Sequence, residues 1–202
     1  MKKLFYFLIT LIMIAGVSAK DFSCYADSVD TYKPGLNNKG GSISPDRSDS
    51  GRALGIPEET DSLNFASLGF SGELILKFDS AILDKPGFDF KVVETSYGSP
   101  SCSAYPEKVH VYASFDKISW KDFGVKCLDS EFDLDGLDKA YYLKLVDATD
   151  PDHFSGTVDA YDVDGVIAYS CEKIPDNVPE FSAIGMVLAA LGSLLLFVFK
   201  RK

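Results

Sequence analysis

Between Gly72 and Ser170 apolar and polar residues alternate in short runs. GELILKFDS (72–80) places Leu74, Leu76 and Phe78 on one side of an extended chain, and EKVHVYAS (107–114) does the same with Val109, Val111 and Ala113. FDFKVVE (88–94), AYYLKLVD (140–147, with Tyr141, Leu143 and Leu145) and DGVIAYS (164–170) continue the series. Successive side chains of a strand point to opposite faces, so this period of two, rich in β-branched and aromatic residues, predicts strands buried on one face. Gly, Pro or Asp breaks the pattern roughly every ten residues, and no run in the body holds a helical period. The expectation is an all-β fold, an antiparallel β-sandwich over residues 53–172. Residues 20–52, with KPGLNNKGGSISPDRSDSG, read as a loop-rich N-terminal part of the same domain.

The ends of the chain depart from this pattern. Lys2 and Lys3 precede an apolar run ending at Val17-Ser18-Ala19, which predicts a secretory signal peptide over residues 1–19 with cleavage after Ala19. Cys24 follows Asp21-Phe22-Ser23, which does not fit a lipoprotein signal. At the other end, residues 181–199 carry no charge. At ~1.5 Å per residue that run reaches roughly 28 Å, enough for a transmembrane helix. Lys200, Arg201 and Lys202 form a basic tail that the positive-inside rule keeps in the cytoplasm. The prediction is a single-pass cell-surface protein whose body lies outside the membrane.

A plain membrane anchor leaves Pro179-Glu180-Phe181 unexplained. These residues, with the linker 173–180, the apolar run and the basic tail, resemble the sorting signals of the PEP-CTERM class in its PEF form, best known from archaea. That resemblance implies a processing partner of the exosortase or archaeosortase type, which cleaves near the motif and passes the protein to a surface anchor.

Charge narrows the partners. Five of the 20 basic residues lie at the two ends, which leaves 15 against 29 acidic residues between Lys20 and Val178. Such a surface repels phosphate backbones and argues against nucleic acid. All four cysteines fall in the exported part, and an even count there favours disulfides. Three pairings are possible; Cys24–Cys171, joining the ends of the domain, and Cys102–Cys127, bracketing a hairpin, are favoured. No CxxC pair is present and only His110 and His153 accompany the cysteines, which argues against zinc. Neither histidine sits in a nucleophile motif, so no catalytic residue is assigned.

Whole phrases carry a second resemblance. The stretch from Ala53 to Thr95, the hairpin VHVYASFDKISWKDFG with Ser114, Asp116 and Trp120, and YYLKLVDATDPDHFSGTVDAYDVDGVIA resemble jelly-roll domains of sorted surface proteins. These are related to discoidin and galactose-binding-like folds. Asp116-Lys117 stands where those hairpins usually have Asp-Gly. The resemblance implies mostly non-catalytic binders of glycans, lipids or matrix.

The resembling domains cluster acids at the positions of Asp89 and Asp162, which gives a candidate calcium site from Asp89, Asp162 and either Asp164 or Glu94. A solvated acidic loop explains the same crowding of Asp147, Asp150, Asp152, Asp159, Asp162 and Asp164. EFDLDG is not an EF-hand start, because its twelfth position is Tyr142 rather than Glu. Trp120, Tyr97 and Tyr105 are candidates for stacking on a sugar ring, although a sandwich core also consumes aromatics. The expected function is a non-catalytic, surface-anchored envelope, matrix or adhesion component. A carbohydrate-binding module is the alternative, and a secreted hydrolase the second alternative.

Overall fold

The computed structural model describes residues 22–58, 63–96, 100–154 and 158–173. The signal peptide with Ala19, the Pro179-Glu180-Phe181 motif, the apolar run 181–199, the basic tail and Tyr97 lie outside the described residues. Among the described residues no helix is long and apolar enough to cross a membrane.

The body is all-β, antiparallel and jelly-roll-like. Its strands are β1 (Phe22–Tyr25), β2 (Ser28–Lys33), β3 (Ala66–Ser67), β4 (Glu73–Leu83), β5 (Phe90–Glu94), β6 (Lys108–Ser114), β7 (Lys121–Cys127), β8 (Ser130–Phe132), β9 (Lys139–Asp147) and β10 (Asp162–Lys173). Hydrogen bonding runs in the order β7-β6-β9-β4-β10-β5-β8, with β2 added on β4 and β1 and β3 on β10. One face is therefore β7-β6-β9-β4-β2, and the other is built around β10 and β5.

Strand β4 carries the ladder from one face to the other. Its first half pairs with β2 and with β9 through Lys77↔Tyr142; after a register shift its second half pairs with β10 through Ile82↔Cys171. Asp27 serves that shift by donating its N–H to the Lys77 carbonyl at 3.0 Å and accepting the Asp79 N–H at 2.8 Å. A backbone donor released from a ladder must find another acceptor.

Between the faces lies one core, in which Leu74, Leu76, Phe78, Val109, Val111, Ala113, Leu143, Leu145, Phe90 and Val92 are all at 0% exposure. Burying each of the larger side chains contributes roughly 1.5–3 kcal/mol. The alternation read from these segments is thus borne out, with one exception. Tyr141 does not join Leu143: β9 breaks register at the β4 shift, Ala140 turns inward instead, and Tyr141 packs edge-on against Phe115 at 5.4 Å. The reading of residues 20–52 as loop also needs correction, since β1 and β2 lie within it.

The hairpin from β6 to β7 is the one expected. Ser114 Oγ accepts the Asp116 and Lys117 N–H groups at 3.2 and 2.9 Å, and Asp116 Oδ1 accepts those of Ile118 and Ser119. Lys117 itself takes φ 63°, the left-handed conformation that the missing glycine would adopt without strain. Glycine is required elsewhere: a Cβ on Gly35 would stand 2.0 Å from the Phe70 carbonyl oxygen, and one on Gly72 1.8 Å from that of Leu68. This close approach holds the loop after β2 against the entry to β4.

Both favoured disulfides are present, Cys24–Cys171 across 147 residues and Cys102–Cys127 across 25. In the loop-closure picture they destabilise the unfolded chain by roughly 5 and 3–4 kcal/mol. We expect the Cys24→Ser/Cys171→Ser pair to cost more unfolding free energy in urea than the Cys102→Ser/Cys127→Ser pair. Equal losses would show that chain-closure entropy is not what the first bond contributes.

Candidate functional site

At one end of the sandwich the segments that leave β2 and β5 and those that enter β3, β6 and β10 surround a cleft of about 470 Å³. Arg47 and Phe65 form one wall, Thr95 and Ser96 continue from β5, Tyr105 and Glu107 precede β6, and Asp159 and Asp162 lead into β10.

Each wall has a local cause. The turn that carries Arg47 closes through Arg47 N–H to the Ser44 carbonyl at 3.0 Å, and its own carbonyl accepts the Ser67 N–H of β3 at 2.8 Å. The Asp159 side is tethered to the opposite loop by a reciprocal pair, Asn38 N–H to Val158 O at 3.0 Å and Val158 N–H to Asn38 Oδ1 at 3.1 Å. Ala160 takes φ 66°, and the next residue, Tyr161, is fully buried with its hydroxyl donating to Leu128 O at 2.9 Å. Anchoring Tyr161 inside leaves Asp159 and Asp162 on the cleft side of that turn. The Tyr105–Glu107 wall is held from behind by the Cys102–Cys127 disulfide and by Leu128 N–H to Glu107 O at 3.1 Å.

Arg47 organises the charges. Its Nε and Nη2 grip Asp159 at 2.5 and 2.8 Å, Nη2 also reaches Asp162 Oδ2 at 2.7 Å, and the guanidinium lies 4.5 Å from the centre of the Phe65 ring. Burial works against the charge on Arg47, and the Asp159 and Asp162 carboxylates more than restore it. Asp162 is 5% exposed. Burial raises its carboxyl well above the usual range, with Arg47 opposing and Asp159 adding to the rise. Its Oδ1 accepts no hydrogen bond; Ser67 stands beside it but donates its one proton to the Asp159 carbonyl at 2.7 Å.

A second pair of acids lies next to the first. Glu94, at the end of β5, and Glu107, 5% exposed, place their carboxyl groups in mutual hydrogen-bond contact. Burial is the main cause that raises both, and for Glu107 the Glu94 carboxyl adds to it. Two carboxyls this close hold one proton between them at neutral pH. Glu107 Oε2 meets no N–H or O–H donor, and buried Thr95 Oγ1 has no hydrogen-bond partner.

The structure separates the four residues expected to share a calcium ion. Glu94 and Asp162 meet at this end, because Glu94 lies opposite Val163 in the β5–β10 ladder. Asp89 sits at the far end of β5, where its carbonyl accepts the Tyr169 N–H. Five residues of strand amount to about 16 Å, so one ion cannot touch Asp89 and the others. Asp164 is outside the cleft lining and accepts the Glu58 N–H at 3.0 Å.

Around Asp89 the fold instead gathers Asp84 and Asp133, with one oxygen of each within 4.8 Å of the others, an acidic cluster that could hold a metal ion. Three carboxylates fall short of the six to eight oxygens calcium takes. Asp89 is already engaged by the Lys85 and Leu134 N–H groups at 2.8 and 2.7 Å.

Of the stacking candidates, Tyr105 lines the cleft at 37% exposure, supported edge-on by Phe154 at 4.8 Å. Trp120 is elsewhere, under the Lys144 ammonium at 4.6 Å on the outer side of the hairpin. Arg47, Thr95 and Glu107 escaped the sequence reading. The one available signal was an arginine set among Ser, Pro and Asp in SPDRSDSG.

No protein-family model and no curated protein matches the chain. Solved structures similar to it include a family 32 carbohydrate-binding module from Streptococcus pneumoniae EndoD, at 12% identity and TM-score 0.49 over 74% of this chain and 99% of that one. The C-terminal domain of a chitobiase from Bacteroides fragilis matches at 14% identity and TM-score 0.42, over 75% and 97% of the two chains. A module from a family 31 glycoside hydrolase of Clostridium perfringens matches at 14% and 0.39, over 63% and 87%. These are modules named for carbohydrate binding or parts of glycosidases. The expectation of an envelope, matrix or adhesion component is corrected in favour of the alternative stated beside it, for which the cleft, and not these likenesses, is the argument.

The acid pair makes a prediction for stability. Glu107 has its folded pKa raised above the ordinary 4.5, so the native state binds more protons than the unfolded one. The stabilising proton is fully present below that ordinary value, and stability declines as pH rises above it. Thermal midpoints should fall from pH 5 to pH 9, and Glu107→Gln, which carries its hydrogen permanently, should flatten the decline. An unchanged slope in the variant refutes the shared proton.

Proposed function

We propose that the cleft binds carbohydrate and that the chain is a lectin-like, non-catalytic module. The observation that carries this reading is the concentration of buried, unpartnered side-chain oxygens beside an exposed aromatic ring. An unmade hydrogen bond at a buried polar atom costs about 1–3 kcal/mol. Asp162 Oδ1 and Thr95 Oγ1 incur that cost beside one cleft, and the hydroxyls of a sugar would remove it. Tyr105 offers an apolar face, and sugar rings present C–H groups to such faces. Concave sites with a few fixed polar groups are the usual form of small-ligand sites.

The hydrolase reading is not favoured by the acid pair. Retaining glycosidases hold their carboxyls about 5–5.5 Å apart and inverting ones roughly 6.5–9.5 Å apart, whereas Glu94 and Glu107 are in hydrogen-bond contact.

The export signals fit a glycan binder displayed outside the cell, processed at its C-terminus through the Pro179-Glu180-Phe181 motif. Intact mass of the protein recovered from cells tests this part. The expected mass begins at Lys20, lacks the C-terminal span and includes both disulfides; a full-length, fully reduced chain contradicts it.

Titration of the full chain against a panel of neutral, amino and acidic oligosaccharides tests the binding itself. Tyr105→Ala should weaken the best ligand about tenfold, ~1.4 kcal/mol. It should leave the melting temperature nearly unchanged, because the ring is partly exposed. Absence of binding across the whole panel would falsify the reading.

A further inference from the structure

The cleft is richer in acceptors than a neutral sugar requires. Three carboxyls, from Glu107, Asp159 and Asp162, line the cleft with one guanidinium, and Glu94 stands beside Glu107. Asp129, at the turn before β8, adds a further negative charge behind Glu94, whose N–H it accepts at 2.8 Å; Lys91 pairs with it at 2.6 Å. Among the described residues, Tyr32, Tyr105 and buried Tyr161 also face these acids. Arg47 donates to Asp159 and Asp162 and packs on Phe65, so its strongest contacts are satisfied within the protein.

We infer that the ligand carries an ammonium group, so that an amino sugar with a free amine is preferred over its N-acetylated form and over sugars bearing carboxylates. This rests on the carbohydrate reading and narrows it. Asp162, nine-tenths buried, lines the cleft and keeps one carboxylate oxygen without a hydrogen-bond partner, and Glu107 lines it beside Asp162. An ammonium brings three donors and one positive charge to this place, and a charge-assisted hydrogen bond is roughly twice as strong as a neutral one. The charge takes over the part of the shared proton. When the amine binds as R–NH₃⁺, the Glu94–Glu107 pair releases one H⁺ to solvent and Glu107 faces the ligand as a carboxylate, so charge and protons balance. An acetamide has no such charge, and a carboxylate meets like charge in a poorly solvated cleft, where repulsion is large.

The test is calorimetry on the full chain with three probes: a glucosamine disaccharide, its di-N-acetyl counterpart and a glucuronic-acid-containing disaccharide. At pH 7 the amino form should bind about tenfold tighter than the acetylated one, and the uronic form should not bind. Repeating the titration in two buffers of different ionisation enthalpy should show a proton released on binding the amine and none on binding the acetylated sugar. Glu107→Gln should abolish the preference, bringing the amino and acetylated forms to equal affinity, and should remove the proton release; if that variant does not fold, the two-buffer measurement on the unmodified protein decides.

Equal or tighter binding of the acetylated disaccharide overturns the ammonium inference and leaves the carbohydrate reading standing. Silence of all three probes, followed by silence of the wider panel, removes both. Binding of the amine with no proton released also overturns the inference, because its charge would then not have replaced the shared proton.

Discussion

The cleft end of the molecule depends on one arginine. Arg47 reaches from a loop near the N-terminus to two aspartates that follow one another at the entrance to the last strand. Without a cation there, Asp159 and Asp162 would repel one another beside the apolar core, and the loop before β10 would open toward solvent. The crowding of acids between Asp147 and Asp164 is resolved in two ways. Asp159 and Asp162 are neutralised by a side chain of the protein itself, and Asp147 is held by the Ser71 and Tyr161 N–H groups. Breaking a pair of this kind by removing one partner costs roughly 3–5 kcal/mol, because a buried charge is left uncompensated.

Rigidity at the cleft comes from its surroundings. The Glu107 wall leans on a disulfide, the Asp159 loop is stitched to Asn38, and the Arg47 turn is bonded to β3. Three unrelated constraints thus fix side chains that are far apart in sequence. A site held this way needs little ordering when a ligand arrives, which lowers the entropic cost of binding.

How much of this was legible in the sequence depended on whether the information was local. β4, β6 and the core half of β9 announced themselves because each buries one face, and burial imposes a period of two. β1 and β2 did not. FSCY and SVDTYK expose or half-expose most of their residues at the edges of the ladder, so no apolar face marks them. Tyr141 misled because a register shift in the neighbouring strand breaks the parity on which alternation relies. Glu94 and Asp162 were grouped with Asp89, which the fold places at the other end of β5, because sequence proximity to strand ends does not say which end. Arg47 and Glu107 carried no periodic signal at all; only the topology brings them together.

The last strand has a consequence for how the molecule matures. β10 pairs with β1, β3, β4 and β5, so it joins β4 to the other face, and Asp162 is its first residue. Most of the ladder can be assembled in principle before this strand arrives, but Arg47 has no Asp162 to grasp until it does. The cleft is therefore completed late: until β10 docks, Arg47 stands without one of its two partners, and the wall that Asp162 supplies is missing.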